Sequence, residues 1–138
     1  SDHGWNTVFH QLKLTDIISE FKDLGIRTSL FLDPDPKMVS AAAKTGADRI
    51  ELYTESYAKA HAANTHQHVI GDYIETAKLA NELGLGINAG HDLDLNNLPY
   101  FLEKVPNVLE VSVGHALICD ALEMGMEQTI KKYLEVVK

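Results

Sequence analysis

The chain has 138 residues, 45% of them hydrophobic and 23% charged, which is ordinary for one globular domain with its own core. Its formal net charge of −8 and pI of about 5.2 argue against a nucleic-acid or anionic-membrane surface, since either would need a basic patch. Small anionic substrates stay open, because backbone N–H groups at helix N-termini bind phosphate without a cationic chain. The single Cys119 cannot form an internal disulfide and fits a reducing cytoplasm. No apolar run approaches the length of a membrane span. The start, Ser1-Asp2-His3-Gly4-Trp5, is polar and acidic, has no signal-peptide character, and reads like the inside of a loop.

From Asn6 to Asp23 apolar residues recur at helical spacing, with Gly25 as the stop. Thr28 to Leu32 is a predicted strand. Asp35 and Pro36 suit the N-cap and first position of a short alanine-rich helix that Gly46 closes. Arg49 to Thr54 is a second predicted strand, followed by a long loop from Glu55 to about Thr65. Gln67 to Leu83 reads as a helix stopped by Gly84. Leu85 to Ala89 is a third strand, Leu95 to Glu103 a short helix capped by Asp94, and Leu109 to Val113 a fourth strand. Ala116 to Leu122 and Met126 to Val137 read as the closing helices. Strict strand-helix alternation implies α/β architecture with a parallel sheet and right-handed crossovers. Four such units make an open doubly wound sheet or half of an eight-stranded barrel. Polar residues at or near the carboxyl end of each strand favour the barrel, whose active sites lie there.

Two Gly-His pairs stand where strands turn toward helices: Gly90-His91 and Gly114-His115. In a parallel β/α fold these strand ends share one face. Histidine moves protons near neutral pH, and His115 at a helix start sits where N–H groups favour an anion. The alternative is structural: loop histidines and a glycine turn with a capping histidine. Glu51 lies inside an apolar strand, where alternation puts Arg49, Glu51 and Tyr53 on one face. A carboxylate buried there either works as an acid or base or forms an ion pair with Arg49 or a neighbouring strand. His61, His66 and His68 have neither cysteine nor carboxylate at a recognised metal-ligand spacing. Asp33, Asp35, Asp92 and Asp94 read as turn and cap residues rather than a calcium loop.

Taken together, Ser29-Leu30-Phe31-Leu32-Asp33, Asp48-Arg49-Ile50-Glu51-Leu52-Tyr53-Thr54, Gly86-Ile87-Asn88-Ala89-Gly90-His91 and Val113-Gly114-His115-Ala116 resemble, in order and spacing, the pyridoxine 5′-phosphate synthase family of bacterial vitamin B6 biosynthesis. The resemblance covers nearly the whole chain. It implies a TIM (β/α)8 barrel, with 1–138 as a single partial domain supplying strands five to eight. It further implies a cytoplasmic homo-octameric transferase that needs no metal or organic cofactor. Its partners would be 1-deoxy-D-xylulose 5-phosphate and 3-amino-2-oxopropyl phosphate, not nucleic acid or membrane.

By the same resemblance, Glu51 matches a glutamate that stabilises charge, and His91 a histidine that donates a proton. Asp92, Gly114 and His115 match positions that contact the amino ketone phosphate. Asp92 stands where the family often has glycine, so its contact is expected through backbone. The family's further acid-base residues and its deoxyxylulose phosphate grip have no counterpart here, and Ser1 to Trp5 resembles the loop after strand four. The chain alone is therefore expected to be inactive. The alternatives are a stand-alone phosphate-binding half-barrel module without catalysis, and another phosphate-handling barrel enzyme. The last is disfavoured because the lysines fall on predicted helices.

Overall fold

A computed structural model describes residues 2–137. The chain runs α1 (Gln11–Asp23), β1 (Ser29–Leu32), α2 (Pro36–Ala43), β2 (Arg49–Tyr53), α3 (Glu55–Ala62), a 3₁₀ turn (His66–His68) and α4 (Ile70–Glu82). It continues through β3 (Gly86–Gly90), α5 (Leu98–Lys104), β4 (Val108–Ser112), α6 (His115–Met124) and α7 (Met126–Val136). The four strands are parallel and lie side by side in chain order. A doubly wound sheet reverses its strand order at a switch point. This one does not, which is the topology of half a TIM barrel.

The two faces of the sheet differ. Leu30, Leu32, Ile50, Leu52, Ile87 and Ala89 point to one side and are 6% exposed or less, packed in one core with Val39 and Ala42 of α2 and Ala77 and Ala80 of α4. Each fully buried leucine or isoleucine there contributes up to about 1.5–3 kcal/mol. The opposite face carries Arg49, Glu51, Asn88, Glu110 and Ser112, which the register sets in adjacent rows. A shift of register between Ile87 and Asn88 brings Glu110 beside Asn88 and leaves Leu109 over half exposed. No helix among the described residues is long and apolar enough to cross a membrane.

The helix signals act as expected at two places. Asp35 caps α2, its side chain accepting from the Lys37 N–H at 2.7 Å with Pro36 in the first turn. Gly84 takes the left-handed φ of 78° that ends α4. Elsewhere the expectations need correction. The segment from Glu55 to Thr65 is not a loop: its first eight residues are α3, tied by the Glu55–Lys59 ion pair at 2.7 Å. α1 begins at Gln11, after turns over 7–10, rather than at Asn6. The helix expected from Gln67 is a 3₁₀ turn at that point, and regular helix starts at Ile70. Asp94 does cap the turn that leads into this helix: its side chain accepts from the N–H groups of Asn96 and Asn97, both at 2.8 Å, and its carbonyl accepts from the Leu98 N–H at 3.0 Å, but regular helix begins only at Leu98.

Candidate active site

The carboxyl ends of β2, β3 and β4 bring the candidate residues together, and Gly90 shows how closely. A Cβ on Gly90 would lie 2.3 Å from Glu51 Oε1 and 2.9 Å from Ser112 Cβ. The half-buried Glu51 side chain therefore leans over β3 into space that only glycine leaves, one residue before His91. Arg49 is not its partner. The Arg49 guanidinium instead reaches Glu110 at 2.9 Å and the Asn88 side-chain oxygen at 3.0 Å. Asn88 in turn donates to Glu110 at 3.1 Å, and Arg27 closes the group on Glu110 at 3.1 Å. Burial raises the Glu110 carboxyl, but Arg27 and Arg49 outweigh it and hold it below the ordinary glutamate value. Sequence reasoning missed this network; its one signal was a glutamate and an asparagine at inward positions of neighbouring strands.

Beyond Gly90 the backbone turns sharply. His91 and Asp92 both have positive φ, 95° and 58°. For a non-glycine residue such conformations cost about 1–3 kcal/mol each, less for aspartate, so surrounding contacts must hold them. Thr54 donates its N–H to the Gly90 carbonyl at 3.0 Å and its hydroxyl to the His91 carbonyl at 2.5 Å. Asn97 donates its side-chain amide to the Asp92 carbonyl at 2.9 Å and accepts from the Asp94 N–H at 3.0 Å. The imidazole of His91 meets the ring of Tyr53 edge-on, centroids 4.8 Å apart, and its Nδ1 lies 3.2 Å from Asp92 Oδ2. Tyr53 donates to Glu55 at 2.7 Å, which together with burial pushes its phenol up to about 12. Tyr53 thus stays neutral beside His91 at ordinary pH.

The other wall is the end of β4. Gly114 opens α6 at the cap position, followed by His115, and both are exposed. Nothing lies within 4 Å of a Cβ built on Gly114. Between the walls is a cleft of about 870 Å³ lined by His91, Asp92, Leu93, Asp94, the 111–113 stretch, Gly114, His115 and Ala116. Four of the five sequence-derived site residues line this one space, with the start of α6 at its border. The fifth, Glu51, is absent from the lining and reaches the cleft's edge only through Gly90 and Ser112. The arrangement offers one imidazole held by a strained turn, one carboxylate behind it, and free N–H groups at a helix start. That set can move a proton and hold an anion in one cleft.

The remaining histidines form no such site. His61 and His66 stack at 4.6 Å beside Tyr57 and Tyr100. No group of three or more His, Cys, Asp or Glu able to hold a metal ion occurs among the described residues.

A family model described as "Pyridoxal phosphate biosynthesis protein PdxJ" matches residues 1–138. Among curated relatives, a protein named pyridoxine 5′-phosphate synthase from Cytophaga hutchinsonii is 57% identical over 138 residues, which is 100% of this chain and 58% of the relative. One of the same name from Christiangramia forsetii is 56% identical over 138 residues, again 100% and 58%. A third, from Albidiferax ferrireducens, is 47% identical over 137 residues, 99% of this chain and 54% of the relative. The chain spans a little over half the length of these relatives.

Proposed function

Because the chain belongs to the PdxJ family of pyridoxal phosphate biosynthesis proteins, we propose that it forms strands five to eight of a (β/α)8 barrel with pyridoxine 5′-phosphate synthase activity. The complete barrel condenses 1-deoxy-D-xylulose 5-phosphate with 3-amino-2-oxopropyl phosphate, releasing pyridoxine 5′-phosphate, inorganic phosphate and water. It works in the cytoplasm as a homo-octamer, without metal or organic cofactor. The observation that carries this reading is the convergence of His91, Asp92, Gly114 and His115 on one cleft, with the Glu51 carboxylate set behind Gly90.

Each residue has a part in that chemistry. Ring closure proceeds through Schiff-base formation, dehydrations and loss of phosphate, and every one of these steps transfers a proton. His91 is the proton donor, presented by the turn at the end of β3. Glu51 stabilises the positive charge that develops as the amine condenses. The N–H groups of Gly114 and His115 hold the phosphate of the amino ketone, with the α6 N-terminus adding its partial positive charge. The Asp92 carboxylate would repel that phosphate if it faced it. Its contact at 3.2 Å with His91 Nδ1 instead engages it with the imidazole, so its substrate contact is through the backbone.

The test is product formation. The complete barrel, given both phosphorylated substrates, is expected to release one inorganic phosphate for each pyridoxine 5′-phosphate formed, both followed by chromatography. This chain alone is expected to form none, since the family's remaining acid-base residues and deoxyxylulose phosphate grip are not in it. No product from the complete barrel, or full turnover by residues 1–138 alone, would overturn the reading.

A further inference from the structure

Two of the helices that follow the strands begin with good capping residues, and neither residue caps its helix. Thr54 stands at the N-cap of α3 and Asn97 at the N-cap of α5, yet neither makes a side-chain cap hydrogen bond. Threonine and asparagine at that position ordinarily accept from their own helix's first N–H groups. Here both side chains point back to the loop that carries His91. Thr54, fully buried, spends its hydroxyl on the His91 carbonyl and its N–H on the Gly90 carbonyl. Asn97, 4% exposed, spends its amide on the Asp92 carbonyl, and its own carbonyl is held by the buried Tyr57 hydroxyl at 2.6 Å. Three consecutive carbonyls, from Gly90 to Asp92, are thus gripped from two sides across the two residues with positive φ.

We propose that Thr54 and Asn97 are positioning residues that hold the His91 turn in its left-handed form and so aim the imidazole into the cleft. The inference rests on the reading of His91 as the proton donor. Neither residue touches the substrate; both act through the backbone of His91 and Asp92. At α3 the cap bond is given up to fix this turn, the kind of local rule-breaking expected where a fold serves a site rather than itself, while at α5 Asp94 caps the entry and leaves the Asn97 amide free for the turn. A peptide plane gripped at its carbonyl cannot rotate, and small errors of placement at a proton donor are costly in rate.

The experiment compares Thr54→Val, Thr54→Ser and Asn97→Asp in the complete enzyme. Valine keeps the shape and the backbone N–H but removes the hydroxyl; serine restores it. The expected result is a kcat about tenfold lower or worse in Thr54→Val, a KM for 3-amino-2-oxopropyl phosphate within about threefold, and recovery to within about threefold in Thr54→Ser. Asn97→Asp, which turns the donor to the Asp92 carbonyl into an acceptor, is expected to lower kcat likewise. A Thr54→Val enzyme with kcat within about twofold of wild type, or a serine variant as poor as the valine one, would overturn the proposal. So would a kcat per folded molecule that is unchanged once the melting curve is taken into account. A crystal structure of the valine variant reads the clamp without activity: His91 is expected to leave positive φ, and an unchanged turn would sink the inference. If the wild-type barrel makes no pyridoxine 5′-phosphate, the functional reading fails instead, and this structure still decides the clamp.

Discussion

At the end of β3, Gly90 and His91 lie under hydrogen bonds from Thr54, and the turn continues into one from Asn97. At the end of β4, Gly114 and His115 stand exposed, on a strand whose other edge pairs with nothing among the described residues. The two Gly-His pairs look equivalent in the sequence, yet only one of their glycines is required by what surrounds it. Gly90 is glycine because the Glu51 carboxylate and Ser112 occupy the place of a Cβ; Gly114 has open space around it. On the proposed function, the difference separates two tasks. A group that transfers a proton has to be held to a fraction of an ångström, whereas backbone N–H groups that hold a phosphate need only a helix start.

Substitution can break this contrast. Gly90→Ala is expected to have the largest effect, because its methyl group displaces the Glu51 carboxylate and presses on Ser112. It should lower kcat in the complete enzyme by about 10²-fold or more, with about 1–3 kcal/mol lost in thermal unfolding. Wild-type kcat in that variant would mean that Glu51 does not act from where it lies. His91→Asn should cost a similar factor in kcat with little change in KM, while His115→Ala should raise KM for the amino ketone phosphate by about tenfold and spare kcat. If the two histidine variants showed the same kinetic signature, the division between the walls would be wrong. Gly114→Ala, which meets nothing, should change kcat/KM by less than about threefold.

The smallest effect concerns how β4 is held. Glu110 titrates below its ordinary value of 4.5 because Arg27 and Arg49 face it, against the raising effect of burial. A depressed carboxyl stabilises the fold above the unfolded value and ceases to do so as pH falls through the folded one. Glu110→Gln should therefore lower the Tm slightly at pH 7, and the difference from wild type should fade as the pH falls below 4.5 and through the lowered folded value. A difference that persisted in acid would show that the ion pairs do not hold this strand.

Periodicity made the strand-helix alternation readable, and the glycine positions made the strand ends readable. α3 escaped because Tyr57 is its only buried residue, so Glu55 to Ala62 shows no apolar stripe. Its signals were of another kind: a threonine in cap position, glutamate in the first turn, and lysine four residues on. Pairing Glu51 with Arg49 was the natural alternative reading, since the two share a face. What decided otherwise was β4, two strands away across β3, which sets Glu110 within reach of Arg49, and that is a matter of register and not of spacing along one strand. Thr54 and Asn97 could not be read at all. A cap residue that turns away from its own helix has the same letter as one that does not, and the partner lies 37 residues off for Thr54.

The chain-order arrangement of the sheet has a further bearing, on assembly and descent. Each strand lies against those joined to it by a single helical segment or two, so the ladder grows one β/α unit at a time and no unit must wait for a distant part of the chain. A cut between β2 and β3 leaves each piece with a two-stranded ladder of its own. Such a design suits recombination: blocks of whole units can be exchanged or duplicated, as long as the strands at the new junction meet side by side.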